Sequence, residues 1–282
     1  MHIEPLHPRF GARIRDVRLG KDMDERTFAA VRDAFEQYSL LVFPDQHLDG
    51  ADQVAFSARF GDLEVALTRL GDDETGRHIA RLSNANPDGS FRAPDDRQML
   101  FDKGNQLWHT DSTYKDRTAI ASMLYARAVP SAGGETEYVS TRAAYADLPE
   151  SMQRRIDDLQ AMHDLAYSRA KVAPDTLNAE MRGKLSPQRR PLVRSNPVNG
   201  EKALYIASHA YEIPGLDADE GLALIEELMA FCTQQAYVYQ HRWSVGDLVM
   251  WDNRATMHRA RPILSQGELR LMYRTTVIDA QM

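Results

Sequence analysis

Two distant stretches of the chain carry side chains that can bind one metal ion. His109 and Asp111 stand two positions apart, and His258 follows His109 by 258 − 109 = 149 positions. In an extended segment, residues i and i+2 project from the same face, so His109 and Asp111 can reach a common ion. Two histidines and one carboxylate are the ligand set of non-haem Fe(II) oxygenases, which leaves adjacent coordination positions open. The third ligand must then come from a distant strand that packs alongside.

Other interpretations of these residues have to be weighed. A His-x-Asp triplet alone is common and most often lies on a surface. Here Trp108 and Trp251 flank the two stretches, and apolar strand-like runs lie beside them, which favours a buried site. A closed structural zinc site usually has four ligands, often cysteines, and Cys232 is the single cysteine of the chain. A hydrolytic zinc site with the same three ligands stays open.

The composition limits the class of protein. The chain has 282 residues, of which 43% are hydrophobic, and a formal charge of −7. This length suffices for a sizeable core, and the acidic balance gives no electrostatic case for a nucleic acid partner. One cysteine excludes an intrachain disulfide framework and fits a reducing compartment. We find no signal-peptide pattern at the start and no run of about 18 apolar residues. We therefore expect a cytoplasmic protein with no membrane partner.

The hydrophobic pattern predicts a single domain, 1–282, because no repeat or linker divides the chain. Periodic apolar residues predict helices, over 24–38, 50–60, 148–165 and 217–234. Short apolar or alternating runs predict strands, over 13–17, 39–43, 120–126, 137–139, 204–207, 237–243, 247–251 and 270–278. Residues 64–104 look polar and irregular, and we expect an active-site lid within them. Many strands with helices outside them predict a β-sandwich or barrel.

With Trp108–Asp111, residues 133–136 and residues 251–274 in view, the chain resembles a known family. It is similar to the Fe(II)/2-oxoglutarate-dependent dioxygenases of the taurine dioxygenase group, and within that group to the aryloxyalkanoate dioxygenases. The resemblance covers nearly the whole chain and is most specific in residues 105–109 and 246–254. It implies a double-stranded β-helix (jelly roll) with helices outside. It also implies Fe(II), with 2-oxoglutarate and O₂ as reactants and succinate and CO₂ as products.

The resemblance also implies residue roles for the metal and the cosubstrate. His109, Asp111 and His258 match the family's iron ligands. Thr136 and Arg270 match the residues that bind the distal carboxylate of 2-oxoglutarate, and Trp251 walls the cosubstrate pocket. Arginine suits this task because its planar fork makes bidentate, charge-assisted bonds to a carboxylate. No catalytic residue is expected beyond the metal ligands.

The substrate side of the site rests on Arg274 and Asn105. The resemblance matches Arg274 to an arginine that faces the substrate's anion, and Asn105 to a polar residue near the substrate. Arg270 and Arg274 are four positions apart, so on a strand they share one face. A solvated strand edge would explain the pair of arginines if the metal motif were absent. Asn196 and Tyr211 stand where the resemblance leads us to expect histidines that hold a phenoxyacetate.

Several functions compete at this point. The leading hypothesis is hydroxylation of a small organic anion, with cleavage of an aryloxyalkanoate ether such as a phenoxyacetate or phenoxypropionate. The same chemistry on a sulfonate or an alkyl sulfate is the alternative. A zinc hydrolase and a non-catalytic jelly-roll binding protein are the hypotheses from other classes, and a homo-oligomer is compatible with the sequence. We expect His163 on a helix, and we place His209 after a strand and outside the site.

Overall fold

The computed structural model describes residues 1–66, 68–173 and 185–280. The described chain contains fifteen strands, seven α-helices and short 3₁₀ turns, joined by loops. The strands are β1 (His2–Pro5), β2 (Ala12–Arg15), β3 (Leu40–Phe43), β4 (Ala80–Ser83), β5 (Ala119–Ala128), β6 (Thr136–Ser140), β7 (Gln160–His163), β8 (Gln188–Pro191), β9 (Val193–Ser195), β10 (Lys202–Leu204), β11 (Ala210–Glu212), β12 (Val238–His241), β13 (Leu248–Asp252), β14 (Thr256–Ala260) and β15 (Leu271–Ile278). The helices are α1 (Glu25–Tyr38), α2 (Gly50–Ala58), α3 (Arg97–Asp102), α4 (Thr141–Asp147), α5 (Glu150–Ile156), α6 (Leu165–Ala170) and α7 (Ala218–Cys232).

The first helix and the strand after it follow directly from local sequence. The Asp24 side chain accepts a hydrogen bond from the Thr27 amide and so caps the start of α1. Ser39 ends the helix in the left-handed region, with φ 59°. The apolar run of β3 then enters the core with all four residues buried. The predictions for 24–38 and 39–43 are confirmed.

A seven-stranded sheet forms the larger wall, in the order β1-β2-β3-β13-β5-β15-β4. Its pairs are antiparallel except β2 with β3. Helices α1 and α2 cover its outer face through one apolar cluster, which contains Phe35, Phe56 and Met250. The inner face carries Ser122 of β5 opposite Trp251 of β13. The inner face is therefore where polar and aromatic side chains of the motifs come together.

A three-stranded sheet, β12-β6-β14, faces the larger one. Tyr138 of β6 packs with Trp251 in the cluster between the sheets. The alternate residues Val139 and Met257 pack the other way, with residues of α4 and α7. This alternation follows from the two-residue period of a strand. The described chain thus has mixed β-sheets with helices outside them, as the sequence predicted.

Three sequence predictions about elements are wrong. The strand predicted over 204–207 is instead Lys202–Leu204. The helix predicted over 148–165 ends at Ile156 in α5, and β7 follows with His163 at its end, fully buried. Strand β7 forms because β8 and β11 pair with it, and a local apolar pattern does not reveal that pairing. The prediction that residues 64–104 are irregular is also wrong, because they contain a strand and a helix. Strand β4 pairs with β15 at the edge of the larger sheet, and α3 lies beside the site. Within the described chain, no helix is both long and apolar enough to span a membrane.

Candidate active site

The three predicted metal ligands meet in the space between the two sheets. One ligand atom from each of His109, Asp111 and His258 lies within 4.8 Å of the others, and all three residues are buried. Nε2 of His258 is 4.0 Å from Oδ2 of Asp111. The imidazole centroids of the two histidines are 4.2 Å apart. Residues that are far apart in the sequence therefore lie close together in the structure. Their side chains form a compact set of possible metal-binding atoms.

The local geometry of the motif differs from the extended segment expected from its spacing. His109 forms an isolated antiparallel bridge with His258, outside the named strands. Asp111 lies in a turn, and Ser112 after it has a φ of 63°. The turn, rather than a continued strand, brings the Asp111 carboxylate back toward the histidines.

The protonation states of the three side chains suit metal binding. Nδ1 of His109 lies 2.7 Å from the Leu107 carbonyl and donates to it, which leaves Nε2 free to act as a ligand. Burial lowers the pKa of His109 to about 4 and that of His258 well below its usual value, so both rings are neutral at neutral pH. Burial raises the pKa of Asp111, but Arg274, the two histidines and the Ser122 hydrogen bond together lower it by more, so this carboxyl is ionised. Metal ions bind these deprotonated forms.

A hydrogen-bond network holds Asp111 in place. Oγ of Ser122 donates to Oδ2 of Asp111 at 2.7 Å. Oδ1 of Asn253 accepts from the Asp111 amide at 3.1 Å and from Nε1 of Trp251 at 3.0 Å. Nδ2 of Asn253 donates to Oγ of Ser122 at 2.9 Å, which closes the network. Ser122 and Asn253 were not predicted as site residues, although Asn253 lies in the specific run that begins at Trp251.

A cavity of about 300 Å³, the first chamber, opens beside the three ligands. Its lining includes two of the metal ligands and all of the residues predicted for the cosubstrate and the substrate, namely His109, His258, Thr136, Trp251, Arg270, Asn105 and Arg274. Trp251 is buried and packs against His258 with ring centroids 4.6 Å apart. Oγ1 of Thr136 accepts a 3.0 Å hydrogen bond from Nε1 of Trp243. Trp251 thus forms one wall of the chamber beside a metal ligand.

Arg270 is a cation without a carboxylate partner among the described residues. Its side chain makes a 3.4 Å bond from Nε to the carbonyl of Gly134. Among the described residues it has no carboxylate oxygen within 4.0 Å, and burial lowers its pKa to about 10. An unpaired buried charge is costly, so this end of the chamber favours a carboxylate ligand.

Arg274 is paired within the protein. Its Nη1 donates to Oδ1 of Asp111 at 2.9 Å. Since Ser122 bonds the other carboxylate oxygen, both Asp111 oxygens have a protein donor. Arg270 and Arg274 line the same chamber, as their spacing predicted, but they meet different environments there.

A smaller cavity of about 70 Å³, the second chamber, also adjoins the ligands. Asp111, Tyr114, Arg169 and His209 line it, and Asn105 lines both chambers. The His209 ring centroid lies 6.1 Å from that of His109 and 4.8 Å from that of Tyr114. His209 thus lies beside the ligands, which is the less favoured of the two positions that its place after a strand allowed.

Asn196 and Tyr211 lie outside the residues that line either chamber. Nδ2 of Asn196 donates to Glu36 at 2.7 Å, and the Tyr211 ring packs against that of Tyr167. Arg169, by contrast, lines the second chamber and was not predicted. It lies on α6, far in sequence from both motifs, and no local pattern distinguishes it from a surface arginine.

The donor set fits one divalent metal ion. Two neutral imidazoles and one ionised carboxylate form a set that suits Fe(II), and their open side faces the first chamber. The same chamber holds Arg270, which needs an anionic partner. A small molecule that carries a carboxylate therefore fits between the metal site and Arg270.

Comparisons with known proteins agree with this site. The model of the family "Taurine catabolism dioxygenase TauD, TfdA family" matches residues 2–276. An (S)-phenoxypropionate/alpha-ketoglutarate-dioxygenase of Sphingobium herbicidovorans is 40% identical over 270 residues, which cover 92% of this chain and 89% of that one. An alpha-ketoglutarate-dependent 2,4-dichlorophenoxyacetate dioxygenase of Cupriavidus pinatubonensis is 37% identical over 279 residues, covering 98% and 97%.

A solved structure is similar over almost the whole chain. The crystal structure of AAD-2 in complex with Mn(II) and N-oxalylglycine matches with a TM-score of 0.90 and 36% identity, covering 99% of this chain and 98% of that one. The similarity therefore includes both sheets and the segments that carry the ligands.

Proposed function

The chain belongs to the taurine catabolism dioxygenase TauD, TfdA family, and on that premise we propose that it cleaves the ether bond of an aryloxyalkanoate. It is an Fe(II)- and 2-oxoglutarate-dependent dioxygenase. The observation that carries the proposal is the buried His109, Asp111 and His258 cluster beside a chamber that contains the unpaired Arg270.

We assign the residues of the cluster and the first chamber as follows. His109, Asp111 and His258 bind the iron. Arg270 and Thr136 hold the distal carboxylate of 2-oxoglutarate. When bound, iron together with 2-oxoglutarate and O₂ supplies the oxidising power, which the side chains of the protein lack. N-oxalylglycine and Mn(II) in the similar AAD-2 structure have the chemistry of stand-ins for the cosubstrate and the metal.

The protein itself positions and shields the reactants. The network of Ser122 and Asn253 orients Asp111, and Trp251 excludes water from one side of the metal site. Orientation of metal ligands by such outer hydrogen bonds tunes metal affinity. Asn105 and Arg274 line both chambers, and we propose that they face the primary substrate.

The substrate class rests on the relatives and on chemistry. The two relatives described above are named for phenoxypropionate and 2,4-dichlorophenoxyacetate. Hydroxylation of the carbon that carries the ether oxygen gives a hemiacetal or hemiketal, which collapses to a phenol and an oxo acid. One oxygen atom of O₂ enters this substrate, and the other enters succinate. The expected products are therefore a phenol, an oxo acid, succinate and CO₂.

Alternatives to this substrate differ in their anion. A sulfonate or an alkyl sulfate would undergo the same chemistry, and an arginine in the chamber binds either kind of anion. A zinc hydrolase would need only the three metal ligands, and a non-catalytic binding protein would need none of them. Arg270 and Thr136 in the same chamber favour the oxygenase over both, since neither alternative requires a carboxylate clamp.

The test is succinate formation from Fe(II), 2-oxoglutarate and O₂ across a panel of aryloxyalkanoates, other carboxylates, sulfonates and alkyl sulfates. We expect succinate and phenol in equal amounts with an aryloxyalkanoate. Faster coupled turnover of a sulfonate or alkyl sulfate would move the substrate to that class. Product formation without 2-oxoglutarate would favour the hydrolase instead.

Broader features belong to the same proposal. The facing sheets β1-β2-β3-β13-β5-β15-β4 and β12-β6-β14 support a double-stranded β-helix in a single domain, 1–282. Met99 and Asp102 of α3 line the first chamber, which supports a lid within 64–104. A cytoplasmic location and a small anionic substrate complete the proposal.

A further inference from the structure

Arg169 places a further cation at the site, in addition to Arg270 and Arg274. It lies on α6, is 6% exposed and lines the second chamber together with Asp111. Its Nη2 donates a 3.0 Å hydrogen bond to Oδ1 of Asn105. Its guanidinium lies over the ring of Phe101, 4.5 Å from the centroid. A buried charge thus meets a neutral amide and an aromatic face.

No anion of the described chain neutralises Arg169. Among the described residues, no Asp or Glu oxygen lies within 4.0 Å of its guanidinium, and its Nε is buried without a hydrogen-bond partner. Burial lowers the pKa of Arg169, as expected for a cation that has lost water without gaining a carboxylate. A guanidinium left in this condition favours an anion from outside the described residues.

Other buried arginines of the described chain each have a carboxylate or several backbone carbonyls as partners, although Nη1 of Arg194 has none. Arg254 donates to both oxygens of Asp252 at 2.8–2.9 Å. Arg194 pairs with Asp279, and Arg190 donates to backbone carbonyls, among them that of Thr113 at 2.9 Å. The fold therefore supplies partners where an arginine has a structural role. Arg169 differs because its open side faces the chamber.

The position of Arg169 is fixed before any ligand arrives. Gly104 leaves the space for its guanidinium, because a Cβ at that position would lie 1.8 Å from Nη1. Asn105, the next residue, holds Nη2. A preorganised cation loses little freedom when it binds an anion. Two other cations of the described chain line the chamber, and both are already paired: Arg274 with Asp111 and Lys115 with Glu64.

We propose that Arg169 binds the anionic group of the primary substrate in the second chamber, with Asn105 as the positioning residue. This inference rests on the proposed function for the identity of the substrate. It places the substrate's anion on the α6 side of the metal site. The cosubstrate's distal carboxylate is assigned to Arg270, which lines the first chamber and not the second.

The test compares an acid with its neutral amide, 2-phenoxypropionate against 2-phenoxypropionamide, by calorimetric titration. The protein is loaded with Zn(II) and 2-oxoglutarate, so that no turnover interferes. Arg169→Gln removes the charge, and Arg169→Lys retains it. The matched control is Lys171→Gln, which removes an exposed charge two residues away. The affinity for 2-oxoglutarate is measured in each variant.

We expect Arg169→Gln to weaken binding of the acid by about 30-fold or more, because a charge pair loses one partner. Binding of the amide and of 2-oxoglutarate should change by less than about threefold, and Arg169→Lys should recover part of the loss. Lys171→Gln should behave like wild type. Equal losses for acid and amide, or an acid preference that survives in Arg169→Gln, would overturn the inference.

A second variant guards against misfolding of Arg169→Gln. Asn105→Asp is nearly isosteric and gives Arg169 an internal anion at the same 3.0 Å contact. It should bind the acid much more weakly, bind the amide as before and unfold at the same or a higher temperature. Unchanged binding of the acid in Asn105→Asp would contradict the inference.

The same titrations separate this inference from the substrate assignment. If wild type binds no aryloxyalkanoate but binds hexanesulfonate, the proposed substrate class fails. Arg169 is then judged by hexanesulfonate against hexanesulfonamide: loss of the sulfonate in Arg169→Gln supports the inference, and retention overturns it. If wild type binds neither kind of anion, both proposals fail.

Discussion

Arg274 donates a 2.9 Å hydrogen bond to Oδ1 of Asp111, so the carboxylate of the metal cluster is paired with a cation. Ser122 donates to the other oxygen, Oδ2, at 2.7 Å. The two donors fix the rotation of the carboxylate about its last bond. They also keep it ionised in a buried environment that would otherwise favour protonation.

Loss of this pair should affect the metal more than the substrate. Arg274→Leu leaves the buried Asp111 without its cation, and we expect metal affinity to fall by about 10- to 100-fold. The preference for an acid over its amide should persist. Titration with Co(II) followed by absorbance measures the first effect. Arg127→Leu, which removes an arginine on the other side of the sheet, is the control. Normal metal affinity with a lost acid preference would assign Arg274 to the substrate anion instead.

The three metal ligands should each be required. Alanine at His109, Asp111 or His258 should abolish iron-dependent succinate formation while circular dichroism stays unchanged. The reason is that three protein ligands hold the iron, and loss of any one leaves too few to bind it. His47→Ala, at an exposed histidine, serves as the control. Full activity of His258→Ala with one iron per chain would disprove the ligand assignment.

Ser122 should contribute to metal binding through Asp111. Ser122→Ala removes the 2.7 Å bond to Oδ2, and we expect metal affinity to fall by about 10-fold with little change in the KM for 2-oxoglutarate. Ser57→Ala removes another buried serine, which bonds Thr275 and lies outside both chambers. Iron bound per chain at limiting iron distinguishes the two variants. If Ser122→Ala and Ser57→Ala lose iron equally, the effect is general destabilisation of the protein and not a role of Ser122 at the metal site.

Arg270 should hold the cosubstrate. Arg270→Ala should raise the KM for 2-oxoglutarate by roughly 30- to several-thousand-fold, because loss of one partner of a buried charge pair costs about 2–5 kcal/mol. Thr136→Ala should have a smaller effect in the same direction. Arg261→Ala tests an exposed arginine at the rim of the same chamber. An unchanged KM in Arg270→Ala would show that another residue binds the distal carboxylate.

Asp102 should make stability depend on pH. Burial raises the pKa of this carboxyl to about 6, above its usual value near 4. The folded state therefore binds more protons than the unfolded state between about pH 4 and 6, and the free energy of unfolding falls as pH rises through that range. The contribution is at most about 3 kcal/mol, at 1.4 kcal/mol per pH unit. Asp102→Asn should remove that part of the pH dependence in urea unfolding of the metal-free protein. Asp45→Asn, at an exposed site, should not.

Some features could be read from residue types alone. The side chains of His109, Asp111 and His258 have the chemistry of metal ligands wherever they lie, and Arg270 has the chemistry of a carboxylate clamp. Helix α1 and strand β3 also follow from local signals, namely the Asp24 cap and an apolar run. Such features depend on the residue itself and on its near neighbours. The sequence alone therefore determined the family and predicted the three side chains that lie together as a possible metal site.

The tertiary structure decided the features that depend on distant partners. His163 lies in a strand because β8 and β11 pair with β7. His109 meets His258 through backbone bonds of 2.7 and 3.0 Å, and the Asp111 turn replaces the expected strand. Whether a buried arginine is paired depends on which carboxylates the fold brings within reach. That is why the contact of Arg274 with Asp111 was not predicted from its spacing, and why no signal in its own segment showed that Arg169 has no carboxylate partner among the described residues.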